Sequence, residues 1–241
     1  QKTNNIVNLD YCTVLDPRIG NLLSLIKQDI QDLNHKKRIE VQHLKALRHI
    51  CLRLGTNTDQ ILITLVAKTN CSNSFSQIAN EWINRWSSVR GVTLNIQSEN
   101  SNRIFGDTTI KLAAQDYIED IFCGMKFSLG STTFFQVNSQ QAEKIVNHIV
   151  RWIVGDKTIK SVIDAYCGVG SISLPLAMKG LFVVGIEIQK ESIIQARNNA
   201  ILNKIKNCTF YNGDVKNLLD KYLDDKTALI IDPPRKGLDA E

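Results

Sequence analysis

The chain has 241 residues, 43% of them hydrophobic, enough to fill a core of one large or two ordinary domains. Its formal charge of +5, from 29 basic and 24 acidic side chains, permits a polyanionic partner without requiring one. The longest apolar runs, such as Ile61 to Ala67, fall far short of the roughly 20 residues that cross a bilayer. The amino end lacks the apolar stretch of a secretory signal, and Gln1 is not an initiator methionine, so residues are expected to precede it. Six cysteines at positions 12, 51, 71, 123, 167 and 208 include no C-x2-C pair. That spacing argues against a self-contained zinc or disulfide scaffold and fits a reducing compartment. A cytoplasmic, monomeric protein with no membrane segment is expected.

In chain order, Ala46 to Leu54 and Gln60 to Ala67 are β-prone runs joined by Gly55-Thr-Asn-Thr-Asp59, a hairpin signal. A helix is predicted over Phe75 to Ser87, then a strand pair through Gly91 to Ile96 and Thr109 to Leu112. Residues 1–126 thus read as an α+β domain. Between His35 and Arg53, Lys36, Lys37, Arg38, Lys45, Arg48 and Arg53 face only Glu40, which makes phosphate contacts plausible, as would a solvated sheet face.

After Ser139 the pattern changes to alternating helix and strand, the signature of βαβ units around a parallel sheet. The opening helix has an apolar stripe at Ala142, Ile145, Val146, Ile149, Val150 and Ile153, and Asn138 with Gln141 reads as its capping box. Strands are predicted at Ser161 to Ala165, Phe182 to Glu187, Cys208 to Tyr211 and Ala228 to Asp232, with a helix over Gln189 to Asn203. Residues 127–241 are therefore expected to form a Rossmann-like, doubly wound parallel α/β sheet, incomplete at its carboxyl end. Ligand chemistry belongs at the carboxyl ends of such strands.

The first strand runs into Asp164-Ala-Tyr-Cys-Gly-Val-Gly170, where Gly168 and Gly170 permit a tight turn and close approach of a ligand. Ser173 stands where a dinucleotide fingerprint would carry a third glycine. Plain strand-to-helix turns also use such glycines. Glu187 ends the second strand, 23 residues beyond Asp164, where an acid accepts hydrogen bonds from ribose hydroxyls. Asn212-Gly-Asp214 follows the third strand, with Asp214 suited to an exocyclic amine or to a solvated turn. Asp232-Pro-Pro-Arg235 follows the fourth, its prolines fixing a donor-poor wall.

Glycines in the first loop and an acid on the second strand, without the third glycine, favour S-adenosylmethionine over NAD. Phe134-Phe-Gln-Val-Asn138, Asp164-Ala-Tyr-Cys-Gly-Val-Gly170 and Asp232-Pro-Pro-Arg-Lys-Gly237, in this order, resemble the RNA (uracil-5-)-methyltransferases. The likeness continues upstream through Leu47-Arg-His49, Asn102-Arg-Ile-Phe105 and Asp116-Tyr-Ile-Glu119. The resemblance implies that Gln136, Tyr166, Gly168, Gly170, Ser171, Glu187, Asp214 and Asp232 contact the cofactor. It also implies an RNA substrate, ribosomal before transfer RNA.

In that family a cysteine thiolate adds to uracil C6 so that C5 can attack the methyl group, and a glutamate later removes the C5 proton. Both are expected beyond Glu241, and no cysteine of this chain is assigned as nucleophile. Cys12 resembles the last of four thiolates that hold a [4Fe-4S] cluster in some members, the other three being expected upstream. Two alternatives stay open: an amino-group methyltransferase, against which Arg235 argues, and a non-catalytic module that binds RNA or cofactor.

Overall fold

The computed structural model describes residues 12–36, 38–233 and 237. They form two compact units. The first comprises residues up to Leu54 together with Ile61–Asp116, the second Gly55–Gln60 together with the residues from Tyr117 onward. The sequence reading divided the chain after residue 126, which lies inside a hairpin strand. The units part between Asp116 and Tyr117 instead, because that hairpin packs with the second half.

In the first unit, helix α1 (Pro17–His35) starts where Asp16 Oδ1 accepts the Arg18 N–H at 2.9 Å and Pro17 presets the first turn. It is followed by α2 (Val41–Ala46), β1 (Leu47–Leu54), β2 (Ile61–Ala67), α3 (Ser72–Arg85), β3 (Val89–Ile96) and β4 (Thr108–Ala114). The sheet order is β1-β2-β3-β4, with β2 and β3 parallel across α3 and the outer pairs antiparallel. Strand alternation puts Ile61, Ile63, Leu65, Val92 and Leu94 into one core with Leu22 and Ile26 of α1 and Phe75, Ile78 and Trp82 of α3. The Trp82 indole N–H reaches Asp29 at 2.8 Å, so the buried ring leaves no donor orphaned. The stretch Asn102 to Phe105 is tethered through its backbone: Gln97 Nε2 donates to the carbonyls of Arg103 and Phe105.

The basic stretch is less available than its composition suggested. Lys36 pairs with Asp32, Arg38 with Glu81, and Arg48 donates to the carbonyls of Gln97 and Glu99. Burial draws the Arg53 guanidinium down to about 10. Lys37 lies outside the described residues.

In the second unit, β5 (Tyr117–Phe122) and β6 (Met125–Gly130) form an antiparallel hairpin. Buried Asp120 accepts the backbone N–H groups of Thr56 and Asn57 at 3.0 and 2.9 Å, holding the loop Gly55–Gln60. Then come α4 (Ser139–Gly155), β7 (Ser161–Ala165), α5 (Ser173–Met178), β8 (Phe182–Glu187), α6 (Lys190–Leu202), β9 (Cys208–Asn212), α7 (Val215–Leu218) and β10 (Thr227–Ile231). Asn138 caps α4, accepting the Gln141 N–H at 3.1 Å. Of its expected apolar stripe, Ile145 points out at 62% exposure.

Strands β7 to β10 are all parallel, in the order β10-β7-β8-β9. The chain therefore steps from β7 outward to β9 and returns to the far side of β7 as β10. Such a reversal leaves a crevice between β7 and β10 at their carboxyl ends, because their connections leave in opposite directions.

Helix α6 is joined to β6 by side-chain amides. Asn203 accepts the Lys126 N–H at 3.0 Å and donates to the Lys126 carbonyl at 2.6 Å. Asn199 does the same for Ser128, and Gln195 accepts the Gly130 N–H at 3.1 Å. Four helical residues rise about 6.0 Å and two strand residues about 6.8 Å, so the two repeats stay in step over three pairs.

Candidate functional site

The loop after β7 turns sharply. Tyr166, Gly168 and Gly170 all have positive φ, at 67°, 53° and 87°. For Tyr166 that conformation is strained, a state that clusters at ligand sites. At Gly170 a Cβ would also press on Phe210 at 3.1 Å and Leu174 at 3.3 Å. The loop closes through Gly170 N–H to Cys167 O at 2.9 Å and Cys167 N–H to Ile186 O at 3.0 Å. Gly185 of β8 lets the loop settle: a Cβ there would meet Phe210 at 2.5 Å and the Cys167 sulfur at 2.8 Å.

Half-buried Glu187 holds the same loop from β8. One carboxylate oxygen accepts the Gly168 N–H at 3.2 Å, the other the Gln189 N–H at 2.8 Å. The turn after β9 is drawn to the same strand end, since Gly213 N–H and Asn212 Nδ2 both donate to the Glu187 carbonyl at 3.0 Å.

Asp164, next to last in β7, is 1% exposed. Its Oδ2 accepts Ser173 Oγ–H at 2.5 Å, while Oδ1 is buried with no hydrogen-bond partner. Burial chiefly, and secondarily the negative charges of Asp232 and Glu187, push this carboxyl up to about 7 despite the Ser173 bonds. Three carboxyls from three neighbouring strand ends thus lie close enough to act on one another through their charges.

Of the sequence-predicted residues, hydrogen bonds and backbone turns bring Tyr166, Gly168, Gly170 and Glu187 together, with half-buried Ser171 just beyond the second glycine. Asp232 is exposed, one residue past β10, and acts on Asp164 through its charge. Asp214 is exposed, and its carboxylate caps α7, accepting the Lys216 N–H at 3.0 Å. Gln136 is half-buried ahead of α4, its carbonyl 3.4 Å from Ser139 Oγ. Pro234, Arg235 and Lys236 lie outside the described residues. Sequence reasoning missed Asp164 as a site group. It also missed Gly185, whose lack of side chain inside an apolar strand was the available signal.

The cysteines offer no activated thiol around the crevice. Burial, with Asp164 and Glu187 nearby, raises Cys167 well above the ordinary thiol range, and burial likewise raises Cys208. Cys123 is pushed up to about 11. Cys12 is half-buried, and among the described residues no three His, Cys, Asp or Glu side chains gather closely enough to hold a metal. One thiolate does not make a cluster site, which takes four. Nor, among the described residues, is any helix long and apolar enough to cross a membrane.

A reversing parallel sheet, a glycine turn after its first strand and an acid ending the second define a Rossmann-like fold. Residues 156–234 match the family model of a methyltransferase domain. Over 99% of its length it is 45% identical to an uncharacterized RNA methyltransferase of Parasynechococcus marenigrum, of which it covers 51%. A similarly named protein of Nostoc is 38% identical over 98% of the chain. The chain spans about half the length of the curated relatives it matches. All of it also superposes on 57% of the Pyrococcus abyssi tRNA (uracil-54, C5)-methyltransferase, solved with S-adenosyl-L-homocysteine, with a TM-score of 0.75 at 23% identity.

Proposed function

We propose that the chain is the S-adenosylmethionine-binding part of an RNA methyltransferase that acts on uracil C5. The observation that carries the cofactor reading is the set of three carboxylates, Asp164, Glu187 and Asp232, at neighbouring strand ends of a parallel sheet. Negative charge there suits a sulfonium and an ammonium and repels the pyrophosphate of a dinucleotide. The Asp164 Oδ1, buried without a partner, leaves an acceptor at the strand end that a bound cation would satisfy. When bound, the cofactor supplies an electrophilic methyl group. Glu187 takes the ribose hydroxyls while fixing the glycine loop, and Gly168 and Gly170 let the backbone approach. Tyr166, Ser171, Gln136 and Asp232 complete the wall, and Asp214 meets the adenine edge once its cap bond yields.

Uracil C5 as target rests on the three ordered motifs. The thiolate and the glutamate base belong to a segment outside these 241 residues, consistent with raised thiols at the crevice. Cys12 enters a cluster in this reading only with three further thiolates supplied by a segment upstream of these 241 residues. Ribosomal RNA is the substrate we put before transfer RNA, and a cytoplasmic monomer the form we expect. Calorimetry tests the cofactor reading: the chain binds S-adenosylmethionine, and Glu187→Ala weakens it at least tenfold. Unchanged affinity would remove Glu187 from the site. Methyl transfer from the longer protein to ribosomal RNA, transfer RNA or neither tests the substrate reading.

A further inference from the structure

The second unit has a cationic feature of its own, built from residues outside the cofactor site. An open cleft of about 480 Å³ is lined by Lys144, Asn147, Val150 and Arg151 of α4 and by Lys179, which follows α5. Lys144, Asn147 and Arg151 are spaced i, i+3, i+7 and so share one helix face. All three cations are exposed, none enters an ion pair among the described residues, and no acidic side chain lines the cleft. The one acid of α4, Glu143, is engaged with the Cys123 N–H at 2.7 Å. Three like charges converge without a counter-charge.

Beside this row, one residue further round the helix, runs an apolar one. Ile145 is 62% exposed and Trp152 is 75% exposed. An indole left in water next to a guanidinium is a stacking platform for a base whose phosphates the cations hold. The two turns from Lys144 to Arg151 span about 10.5 Å, the advance of about three nucleotides of one strand.

Resting on the RNA reading above, we infer that this cleft is a second docking site for RNA: Lys144, Arg151 and Lys179 take backbone phosphates and Trp152 stacks on a base. It anchors a strand away from the glycine loop and carries no chemistry. The test is equilibrium binding of a labelled single-stranded RNA to the full chain between roughly 50 and 200 mM salt. Replacing Lys144, Arg151 and Lys179 together by Gln lowers affinity at least tenfold and flattens the salt slope by about 2, at about 0.7 per phosphate lost. Lys179→Gln alone, outside α4, flattens it by about 0.7. Trp152→Ala weakens binding roughly tenfold with the slope unchanged. Cofactor affinity stays at its starting value in every variant. Wild-type affinity and slope in the triple variant, with RNA still bound, would overturn this site and leave the substrate reading intact. Polyglutamate competing as well as RNA would overturn base recognition here. A wild-type chain that binds no RNA at all would overturn both readings.

Discussion

Asp164→Asn isolates one buried charge. The carboxyl titrates near 7 in the folded chain against an ordinary value of 3.8, so the folded state holds its proton more tightly than the unfolded one. By linkage, stability is then fullest below pH 4 and falls as pH rises through 7, because over that window the unfolded chain has already released a proton the native one still binds. With about 1.4 kcal/mol per unit, the loss between pH 5 and 7 comes to about 2 kcal/mol. Asparagine keeps an oxygen for the Ser173 hydroxyl and has nothing to titrate. Urea unfolding of both proteins at half-unit steps from pH 5 to 8 measures the difference in ΔG, in which contributions of other groups cancel. Wild type should lose about 2 kcal/mol more than the variant between pH 5 and 7. Parallel curves would refute the reasoning, showing that the Asp164 carboxyl is solvated in the folded chain.

Other outcomes follow from packing and the amide bridge. Gly185→Ala should destabilise by about 1–3 kcal/mol in thermal unfolding, since the added carbon meets Phe210 at 2.5 Å and Cys167 at 2.8 Å. Asn199→Ala strands the Ser128 and Val169 backbone groups that its amide serves and should cost about 2–4 kcal/mol in denaturant titration, where half-buried Asn203→Ala costs about 1 kcal/mol. Asp214→Ala removes the cap of a short exposed helix, costing about 1 kcal/mol of stability. A cofactor affinity reduced well beyond that of Glu187→Ala would give Asp214 the larger share of recognition.

The strands of the parallel sheet were legible because each is an apolar run ended by glycine or an acid, and Asn138 was legible as a cap by its offset from Gln141. Helix α1 was readable in principle from Asp16-Pro17 and the spacing of Leu22, Ile26, Ile30 and Leu33, but its partners come from β1 and α3, remote in sequence. The hairpin β5–β6 was absorbed into the wrong half because its partner, α6, begins some sixty residues later. Asp164 was read as part of a loop motif. Its perturbation depends on Ser173, Glu187 and Asp232, which only the folded sheet assembles. Ile145 fits the apolar period of α4 yet faces solvent, since periodicity reports a stripe's angle and not how far the neighbouring layer extends.

The amides of α6 have a consequence for the hairpin beyond its anchoring. A two-stranded ribbon is marginal alone, and its outer backbone groups are a template on which another chain can add a strand. Gln195, Asn199 and Asn203 occupy those groups at Gly130, Ser128 and Lys126, so the helix stands where an intruding strand would lie. Removing two amides therefore opens an aggregation edge as well as lowering ΔG. Light scattering of the Asn199→Ala, Asn203→Ala double variant, held below its unfolding midpoint, should rise with concentration in a way that Gly185→Ala at matched stability does not.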